Sequence, residues 1–428
     1  MAVTPSAAPQ ARRAVETAVA DENVADDARI LAVNTGSSSL KVALYRAKQG
    51  SESLELRAEA ERIGARDGRL RLAEGRGKAP GKTRGKDSDW AQLDLPDHAA
   101  ALVAVLERLR RMGHAGRLLA VGHRIVHGGS LYREPVRIGP EVVGVLKGLV
   151  TVDPNHTPQA LSAVEATARE FPSVPQVACF DTAFHARMPR VARLFALPRT
   201  LSDEGILRYG FHGLSYEYVM HELRRIDPTA AEGRVIIAHL GNGASMVAVR
   251  GGVGLDTTMG FTPTGGLAMG TRSGDLDPGV LIHLLRSRRM EVDVLDVLVN
   301  EESGLLGVSG TTSDMRQLLV RAGEDRRAAE AVDLFCYLAK KHLGALVAAL
   351  GGLDTLVFTG GVGEHAAPVR ERICAGLGFL GVALDTAHNA NHESVISVPG
   401  SRVTVRVVPT DENLMVARHT RRLISRKE

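Results

Sequence analysis

The sequence has only three cysteines, Cys179, Cys336 and Cys374, which lie far apart and form no C-x-x-C pair. This scarcity argues against a disulfide framework and favours reduced thiols in a cytoplasmic protein. No apolar run approaches 18 residues, so no membrane-spanning helix is expected. Residues 1–29 have no apolar core and are predicted to be a disordered leader, not a signal peptide.

Two common catalytic motifs are also missing. The pattern G-x-x-x-x-G-K-[ST] does not occur, so no P-loop is predicted. His123 and His127 are four residues apart, but they lack the adjacent glutamate of a zinc protease and lie in a glycine-rich, strand-like segment. Ligation of a transition metal is therefore not expected.

The formal net charge of +4 comes from one segment. Between Arg62 and Lys86, nine Lys or Arg face two acidic residues, a net of +7, so the rest of the chain carries about −3 (4 minus 7). A local excess of this kind does not indicate a nucleic-acid-binding surface. Residues 66–90 are predicted to form a flexible basic insert, with contact to an anionic partner as the alternative.

The length of 428 residues favours two domains of roughly 200 residues each. The segment around Gly36, ARILAVNTGSSSLKVALYRA, is typical of a strand, a glycine turn and a second strand. The segment around Gly241, RVIIAHLGNGASMVAVRGG, repeats this pattern 205 residues later. The repeat predicts two copies of one α/β unit, whose turns would face a shared cleft.

Helices and a late strand are predicted between and after these hairpins. Asp97–Gly113 is amphipathic, and Pro158 and Pro278 each stand at a first-turn position. A long apolar helix is predicted from about Ala328 to Leu350, followed by the strand TLVFTGG. A last helix is predicted from about Glu412.

Three glycine loops are candidates for phosphate binding. Asn34–Lys41 combines a glycine turn, three serines and a lysine, although an ordinary serine-rich hairpin is an alternative. His239–Ser245 repeats this design. Phe358–His365 lies between a predicted strand and helix, where a nucleotide could approach the bare backbone. Three such loops on a duplicated frame are difficult to explain by packing alone.

Charged residues near these loops suggest phosphoryl transfer, which depends on positioning and on cations around the phosphoryl oxygens. Arg124 and Arg272 lie in glycine-flanked segments, and arginine suits bidentate binding of phosphate or carboxylate. A structural salt bridge is the alternative for each, as a packed core residue is for His212. Magnesium requires few protein oxygens. The acidic candidates for it are Asp181, Asp411 and Glu412.

The segments together resemble the acetate kinase family, within the superfamily of sugar kinases, heat-shock ATPases and actin. The shared motifs include NTGSSSLK, GHRIVHGG, RYGFHG, HLGNGAS, FTGGVGEH and PTDENLMVA, and the match runs from about Ile30 to the last helix. The resemblance implies an α/β fold of duplicated RNase H-like (actin-like) domains with a nucleotide and substrate cleft between them. The implied domains are 30–185, completed by the helix near 412–428, and 186–411.

The resemblance also implies an activity. This is the magnesium-dependent, or alternatively manganese-dependent, reversible in-line transfer of a phosphoryl group between ATP and acetate, giving acetyl phosphate and ADP. The implied enzyme is a cytoplasmic homodimer with no nucleic-acid or membrane partner. Propionate kinase is an alternative with the same chemistry, and a non-catalytic actin-like ATPase is a more distant one.

The resemblance assigns roles to individual residues. The catalytic residues are Asp181, His212 and Arg272. The substrate-binding residues are Arg124 for the carboxylate and Val126, Phe211 and Pro263 for the methyl group. The metal-binding residues are Asn34 and Glu412. The ATP-binding residues are Lys41, Ser37, Ser39, His239, Leu240, Gly241, Asn242, Gly243, Asp314, Met315, Arg316, Gly361, Val362, Gly363, Glu364 and His365.

Some positions depart from the family pattern. Tyr216 replaces a histidine in Gly-Thr-Ser-His, Gly265 replaces a glutamate, and His365 replaces an asparagine. None of these changes removes a charge-handling residue. A carboxylate is ionised at neutral pH and is its own nucleophile, so Asp181 is expected to orient its neighbours and not to act as a base.

Overall fold

The computed structural model describes residues 28–48, 51–75, 90–114 and 118–425, which form two compact units. The first unit contains the described residues up to 125, Glu134–Cys179 and the residues from Asn413 onward. The second contains Val126–Arg133 and Phe180–Glu412. These units are groups of mutually packed residues, and the domain boundaries given above stay predictions.

Strands and helices alternate along the described residues. The strands are β1 (Arg29–Thr35), β2 (Ser39–Lys48), β3 (Ser51–Glu61), β4 (Arg69–Glu74), β5 (Ala91–Gln92), β6 (Leu118–Ile125), β7 (Val136–Arg137), β8 (Gln176–Phe180), β9 (Arg234–Leu240), β10 (Ala244–Arg250), β11 (Val253–Thr257), β12 (Thr355–Thr359) and β13 (Thr404–Val407). The helices are α1 (His98–Arg111), α2 (Pro140–Gly148), α3 (Thr157–Glu170), α4 (Arg190–Arg193), α5 (Arg199–Asp203), α6 (Gly213–Ile226), α7 (Pro228–Glu232), α8 (Pro278–Ser287), α9 (Val292–Asn300), α10 (Gly304–Ser309), α11 (Met315–Arg321), α12 (Arg326–Leu350), α13 (Gly360–His365), α14 (Ala367–Cys374), α15 (Thr386–Ala390) and α16 (Glu412–Ser425). Short 3-10 helices cover Leu149–Thr151, Asp181–His185 and Gly378–Leu380.

The first unit is built on one sheet with the order β5-β4-β3-β2-β1-β6-β8-β7. Strand β1 pairs antiparallel with β2 and parallel with β6. Helix α1 begins after the cap residue Asp97, whose carboxylate accepts a hydrogen bond from the amide of Ala100 at 2.8 Å. Helix α16 packs on β6, where a β-carbon at Gly122 would lie 2.6 Å from the side chain of Val416.

Residues 66–75 are not the flexible insert that the charge pattern predicted. They include β4, which pairs antiparallel with β3 and β5, and Leu70 is fully buried. Arg69 and Arg71 form ion pairs with glutamates of β3, and both guanidinium groups lie over the ring of Trp90. The alternation of arginine and leucine is therefore that of a two-faced strand, in which facing carboxylates neutralise the charge.

Two other parts of these predictions lie outside the described residues. They are positions 76–89 of the basic insert and positions 1–27 of the leader. Arg29 was assigned to the leader, but it is the first residue of β1, where its side chain donates a hydrogen bond to Glu55 at 2.7 Å.

The second unit is built on a sheet with the order β11-β10-β9-β12-β13. Strand β9 pairs antiparallel with β10 and parallel with β12. The long helix predicted near 328–350 is α12, which buries residues such as Phe335 and Leu343 in the core of this unit. Asp325 caps its start through the amides of Arg327 and Ala328.

The two sheets repeat one arrangement, as the sequence predicted. Strand β1 starts at Arg29 and β9 at Arg234, and the difference of 205 residues (234 minus 29) equals the offset of the sequence repeat. Each of these strands has its hairpin partner on one side and a parallel strand on the other. Within the described part of the chain, no helix is both long and apolar enough to cross a membrane.

Candidate active site

Two glycine loops of the second unit lie side by side at the ends of parallel strands. Strands β9 and β12 are in register, with His239 opposite Thr359, and a glycine loop follows each strand. Gly360 has a φ of +77°, and a β-carbon there would lie 2.7 Å from the carbonyl oxygen of Leu240. Only glycine allows this close approach, which leaves the amides of both loops at one edge of the sheet.

Gly243 in the first of these loops lies beside two candidate catalytic residues. A β-carbon at Gly243 would lie 3.2 Å from Nε2 of His212 and 3.7 Å from Nη1 of Arg272. Nη1 of Arg272 donates a hydrogen bond to the carbonyl oxygen of Pro263 at 3.1 Å. The imidazole and the guanidinium, which the sequence could only suggest, therefore converge on one glycine.

His212 and His239 form a stacked pair, with ring centroids 4.2 Å apart. His212 has a left-handed backbone (φ 57°) as the cap residue of α6, and its Nδ1 lies 2.8 Å from Oγ of Ser245. Nδ1 of His239 lies 2.8 Å from Oγ of Ser215. Each ring is thus oriented by a serine. Ser245 belongs to the loop predicted from the sequence, whereas Ser215 was not predicted.

Tyr216 is a further residue that was missed as a candidate. It is fully buried, and its hydroxyl forms a short hydrogen bond with Oγ of Ser245. Its pKa is raised by burial, and the charge of Asp181 raises it further. The available signal was helical spacing, because Tyr216 follows His212 by four residues at the start of a helix.

Asp181 lies beneath the start of α6. It is fully buried at the first position of the 3-10 helix Asp181–His185. A β-carbon at Gly213 would overlap its carbonyl oxygen and would lie 2.8 Å from Cβ of Phe184. The backbone of Asp181 is therefore in direct contact with the residue that follows His212.

The predicted methyl pocket corresponds to buried apolar residues of the second unit. Val126 and Phe211 belong to one core cluster. His127, another residue that was missed, packs its ring edge-on against Phe211, with centroids 5.5 Å apart. Its Nδ1 accepts a hydrogen bond from the amide of Gly129 at 2.9 Å, so the proton belongs on Nε2, which lies 3.3 Å from the carbonyl oxygen of Phe261.

Further predicted nucleotide residues lie on α11 and α13. Asp314 caps α11 by accepting a hydrogen bond from the amide of Arg316 at 2.8 Å, and the side chain of Arg316 is exposed. Met315 has a buried side chain, so only its backbone could meet a ligand. Glu364 does not point outward, because its Oε1 accepts hydrogen bonds from the amides of Gly360 and Thr410 at 3.0 and 3.2 Å.

Arg370 supports the α13 loop from below and was not identified from the sequence. It is fully buried, and its Nη1 donates hydrogen bonds to the carbonyl oxygens of Gly363 and Glu364 at 2.8 and 3.0 Å. Burial lowers its pKa to about 10. Gly361 is exposed, and a β-carbon there would meet nothing within 4 Å. The loop is thus held at its base and open at Gly361.

The first unit brings together two other predicted residues, Asn34 and Arg124. They lie at the ends of the parallel strands β1 and β6, and Nη1 of Arg124 donates a hydrogen bond to Oδ1 of Asn34 at 3.0 Å. Lys41 lies opposite Asn34 in the hairpin and is exposed. This pairing places an arginine, an amide and a lysine at one end of the sheet.

The turn of the same hairpin carries the predicted serines. Ser37 is exposed and Ser39 is half-buried. The amide of Gly36 donates a hydrogen bond to the carbonyl oxygen of Ser39 at 2.8 Å, while the carbonyl oxygen of Gly36 is 2.8 Å from Nε2 of His98. The turn is therefore fixed from both sides, with its serine side chains at the surface.

The metal assignment fits the chemistry of Asn34 and Glu412, which offer amide and carboxylate oxygens. Glu412 is the first residue of α16 and is half-buried. In the described ranges, no group of three or more His, Cys, Asp or Glu could hold a metal ion on its own. Mg²⁺ commonly takes most of its ligands from water and phosphate and needs few protein oxygens.

Comparison with known families decides the classification. The sequence model of the acetokinase family matches residues 29–418 of this chain. The chain belongs to the acetokinase family. The resemblance noted from the motifs is thereby confirmed.

Relatives in the acetokinase family cover nearly the whole chain. The acetate kinase of Rhodopseudomonas palustris is 47% identical over 397 residues, which are 92% of this chain and 98% of the relative. The acetate kinase of Streptomyces coelicolor is 44% identical over 406 residues, 93% of this chain and 97% of the relative.

Solved structures of this family confirm the duplicated α/β fold. The acetate kinase of Porphyromonas gingivalis matches with a TM-score of 0.80 at 37% identity, covering 93% of this chain and 100% of that one. The propionate kinase of Francisella tularensis matches with a TM-score of 0.84 at 33% identity, covering 92% and 100%.

Proposed function

We propose that this protein is an acetate kinase, which transfers the γ-phosphoryl group of ATP reversibly to acetate and gives acetyl phosphate and ADP. The observation that carries the proposal is the convergence of His212 and Arg272 on Gly243, beside two adjacent glycine loops. Phosphoryl transfer needs donors and cations around the moving group far more than it needs covalent chemistry. The relatives that span this chain are acetate kinases.

The catalytic roles follow from the chemistry of the substrate. Acetate is ionised at neutral pH and attacks the phosphorus without a general base. Arg272 and His212 donate hydrogen bonds to the phosphoryl oxygens as charge shifts between the attacking and leaving oxygens. Asp181 is fully buried under α6 and orients this group of residues.

The proposed binding roles differ by residue type. Arg124 binds the carboxylate, while Val126, Phe211 and Pro263 contact the methyl group. The nucleotide is held by the glycine loops and by the start of α11. The residues of this set are Ser37, Ser39, Lys41, His239, Leu240, Gly241, Asn242, Gly243, Asp314, Met315, Arg316, Gly361, Val362, Gly363, Glu364 and His365.

Asn34 and Glu412 hold magnesium, with manganese as a substitute. When bound, the ion neutralises phosphate charge and orients the oxygens of the nucleotide. The residues of the chain bind and orient the two substrates. Asn34 is itself positioned by Arg124, so the carboxylate-binding arginine and the metal-binding amide are mechanically linked.

The test is a steady-state comparison of acetate, propionate and butyrate with ATP and magnesium, with acyl phosphate trapped as the hydroxamate. The proposal expects acetyl hydroxamate to form in step with ADP, at a higher kcat/KM than the propionyl product. A preference for propionate would make the chain a propionate kinase, since one methylene changes discrimination by only about 1–3 kcal/mol. ADP formation without any hydroxamate would overturn the proposal and favour an actin-like ATPase that hydrolyses ATP without transfer to a carboxylate.

The enzyme acts as a cytoplasmic homodimer. The three cysteines are buried thiols that form no disulfide, which suits a reducing compartment. Helices α8 and α9 bury none of their residues, although both are rich in apolar side chains. The exposed set comprises Val280, Ile282, Leu285, Val292, Val294 and Val297. A contiguous apolar surface of this kind is typical of an interface, and a second copy of the chain is its occupant.

A further inference from the structure

Tyr216 lies behind His212 and reaches it through one serine hydroxyl. Nδ1 of His212 is 2.8 Å from Oγ of Ser245, and the hydroxyl of Tyr216 is hydrogen-bonded to the same Oγ. We propose that Tyr216 and Ser245 are positioning residues that keep His212 neutral, with its proton on Nε2. The inference rests on the proposed function, because the substrate that His212 faces is that of the proposed kinase.

The hydrogen bonds from Tyr216 through Ser245 to His212 are called the relay below. Counting its hydrogens shows which atom donates in each bond. The chain from Tyr216 through Ser245 to His212 contains two hydrogen bonds. The two hydroxyl groups contribute one hydrogen each, so both bonds are satisfied when Nδ1 carries no proton. If Nδ1 were protonated, three hydrogens would compete for two bonds, and one would point at no acceptor.

Burial makes that third hydrogen costly. Tyr216 and Ser245 are both fully buried. A buried hydroxyl hydrogen without an acceptor loses its hydrogen bond to water and gains none in the protein. Within the described parts of the chain, the hydroxyl of Tyr216 has one hydrogen-bond partner, Ser245. The hydroxyl of Ser245 has two, Tyr216 and His212. Burial raises the pKa of Tyr216, so the phenol keeps its hydrogen.

The relay therefore determines which ring nitrogen faces the glycine loop as a donor. With Nδ1 bare, a neutral His212 must carry its proton on Nε2. Nε2 is the atom that lies 3.2 Å from the β-carbon position of Gly243. A hydrogen-bond donor there suits the oxygens of a phosphoryl group, whereas a bare nitrogen would repel them.

Other titratable groups surround the relay. His239 stacks on His212, Arg272 approaches the same glycine, Asp181 lies beneath the start of α6, and the ring of His185 is 5.7 Å from that of Tyr216. Arg272 disfavours a charged imidazole at His212, and Asp181 favours it. The Tyr216 and Ser245 hydroxyls do not titrate near neutral pH, so they bias His212 in the same direction throughout that range.

The buried phenol of Tyr216 keeps one hydrogen throughout the neutral range, whereas a histidine at this position would gain a second proton there. Ser245 thus has a neighbour with a fixed number of hydrogens.

The test is two-bond proton–nitrogen NMR of the full chain with 15N-labelled histidine, in which the His212 signal is assigned by its loss in His212→Ala. The wild-type protein is expected to show a bare Nδ1 and a protonated Nε2 around neutral pH. Tyr216→Phe removes the donor to Oγ of Ser245, so a bare Nδ1 leaves that oxygen without a hydrogen bond while a protonated Nδ1 supplies one. A mixture of tautomers and a higher pKa of His212 are therefore expected. Its kcat should fall about 5- to 10-fold, the value of one hydrogen bond, with unchanged KM for acetate and ATP.

Tyr218→Phe is the matched control, because it removes a hydroxyl from another buried tyrosine of the same helix. It should leave the His212 spectrum unchanged. Ser245→Ala is the second variant and should release Nδ1 in the same way as Tyr216→Phe. A proton on Nδ1 of the wild-type protein, or an unchanged spectrum in both relay variants, would overturn the inference. The spectrum is independent of turnover, so a chain that makes no acyl phosphate refutes the proposed function alone.

Discussion

The carbonyl group of Asp181 packs against the α-carbon of Gly213, where no side chain can be accommodated. Gly213 is the first residue of α6 and follows His212, whose backbone is left-handed with a φ of 57°. One contact thus places the backbone of Asp181 next to the residue that follows the cap residue His212. The packing of α6 at this point requires the absence of a β-carbon at position 213.

Gly213→Ala should therefore reduce both stability and turnover. The added β-carbon overlaps the carbonyl oxygen of Asp181, and relief requires a backbone shift that costs about 1–3 kcal/mol of unfolding free energy. Urea unfolding and kcat measure the two effects. The control is Gly344→Ala in α12, where a β-carbon meets nothing within 4 Å and stability should rise by about 0.5–1 kcal/mol. Wild-type stability and turnover in Gly213→Ala would contradict the packing argument.

Arg272→Ala should lower kcat by at least about 100-fold, because it removes a charged donor from the phosphoryl group. ATP binding, measured by calorimetry, should change little, since the glycine loops of β9 and β12 remain. Arg272→Lys keeps the charge but loses the planar fork, and it should recover only part of the activity. Near-normal turnover in Arg272→Ala would refute the catalytic assignment.

Arg124→Ala should raise the KM for acetate more than the KM for ATP, because its guanidinium is the proposed partner of the carboxylate. Its hydrogen bond to Asn34 predicts a secondary effect, a higher magnesium concentration for half-maximal rate. Initial rates are measured with acetate, ATP and magnesium varied in turn. They give the KM for acetate, the KM for ATP and the magnesium concentration for half-maximal rate separately. An unchanged KM for acetate would show that another residue binds the carboxylate.

Local patterns account for what the sequence predicted well. The hairpins around Gly36 and Gly241 were visible because an apolar run, a glycine turn and a second apolar run follow one another in the sequence. The helices predicted at Asp97–Gly113 and near 328–350, which are α1 and α12, follow equally local rules. The strand β4 was missed because its arginines obscured the alternation, and their partners Glu59 and Glu61 lie on another strand.

Residues that support the site could not be predicted in the same way. Ser245 matters because the hairpin of β9 and β10 crosses the start of α6, which places it between His212 and Tyr216. Arg370 matters because α14 folds back under the α13 loop. Such contacts depend on how separate elements pack, and no spacing within one segment encodes them.

The proposed homodimer predicts that charge on the exposed face of α8 and α9 will produce monomers. Ile282 and Val294 are 47% and 54% exposed on that face, and Ile282→Glu with Val294→Glu should halve the mass measured by sedimentation. The matched control is Val320→Glu on α11, where the side chain is 81% exposed and the dimer should persist. A monomeric wild-type protein, or a dimeric double variant, would contradict this interface.

Acid should destabilise the second unit through His185. This residue is fully buried, Nε2 lies 3.0 Å from the carbonyl oxygen of Phe211, and burial lowers its pKa from 6.5 to about 4. The pKa of His185 is lower in the folded chain than in the unfolded chain. At pH values between the two, His185 is therefore protonated in the unfolded chain and neutral in the folded one. Stability is complete above pH 6.5 and falls as pH drops toward 4, by about 2 kcal/mol at pH 5.

Urea unfolding followed by circular dichroism from pH 7.5 to about 4.5 measures this slope. His185→Gln removes the titration, so the free energy of unfolding should depend less steeply on pH even if its value at neutral pH is lower. Some slope should remain, because His123 in the first unit is also fully buried and has a pKa lowered to about 4 by burial. An identical slope in His185→Gln and the wild-type protein would contradict this prediction. It would mean that His185 has the same pKa in the folded and unfolded chains.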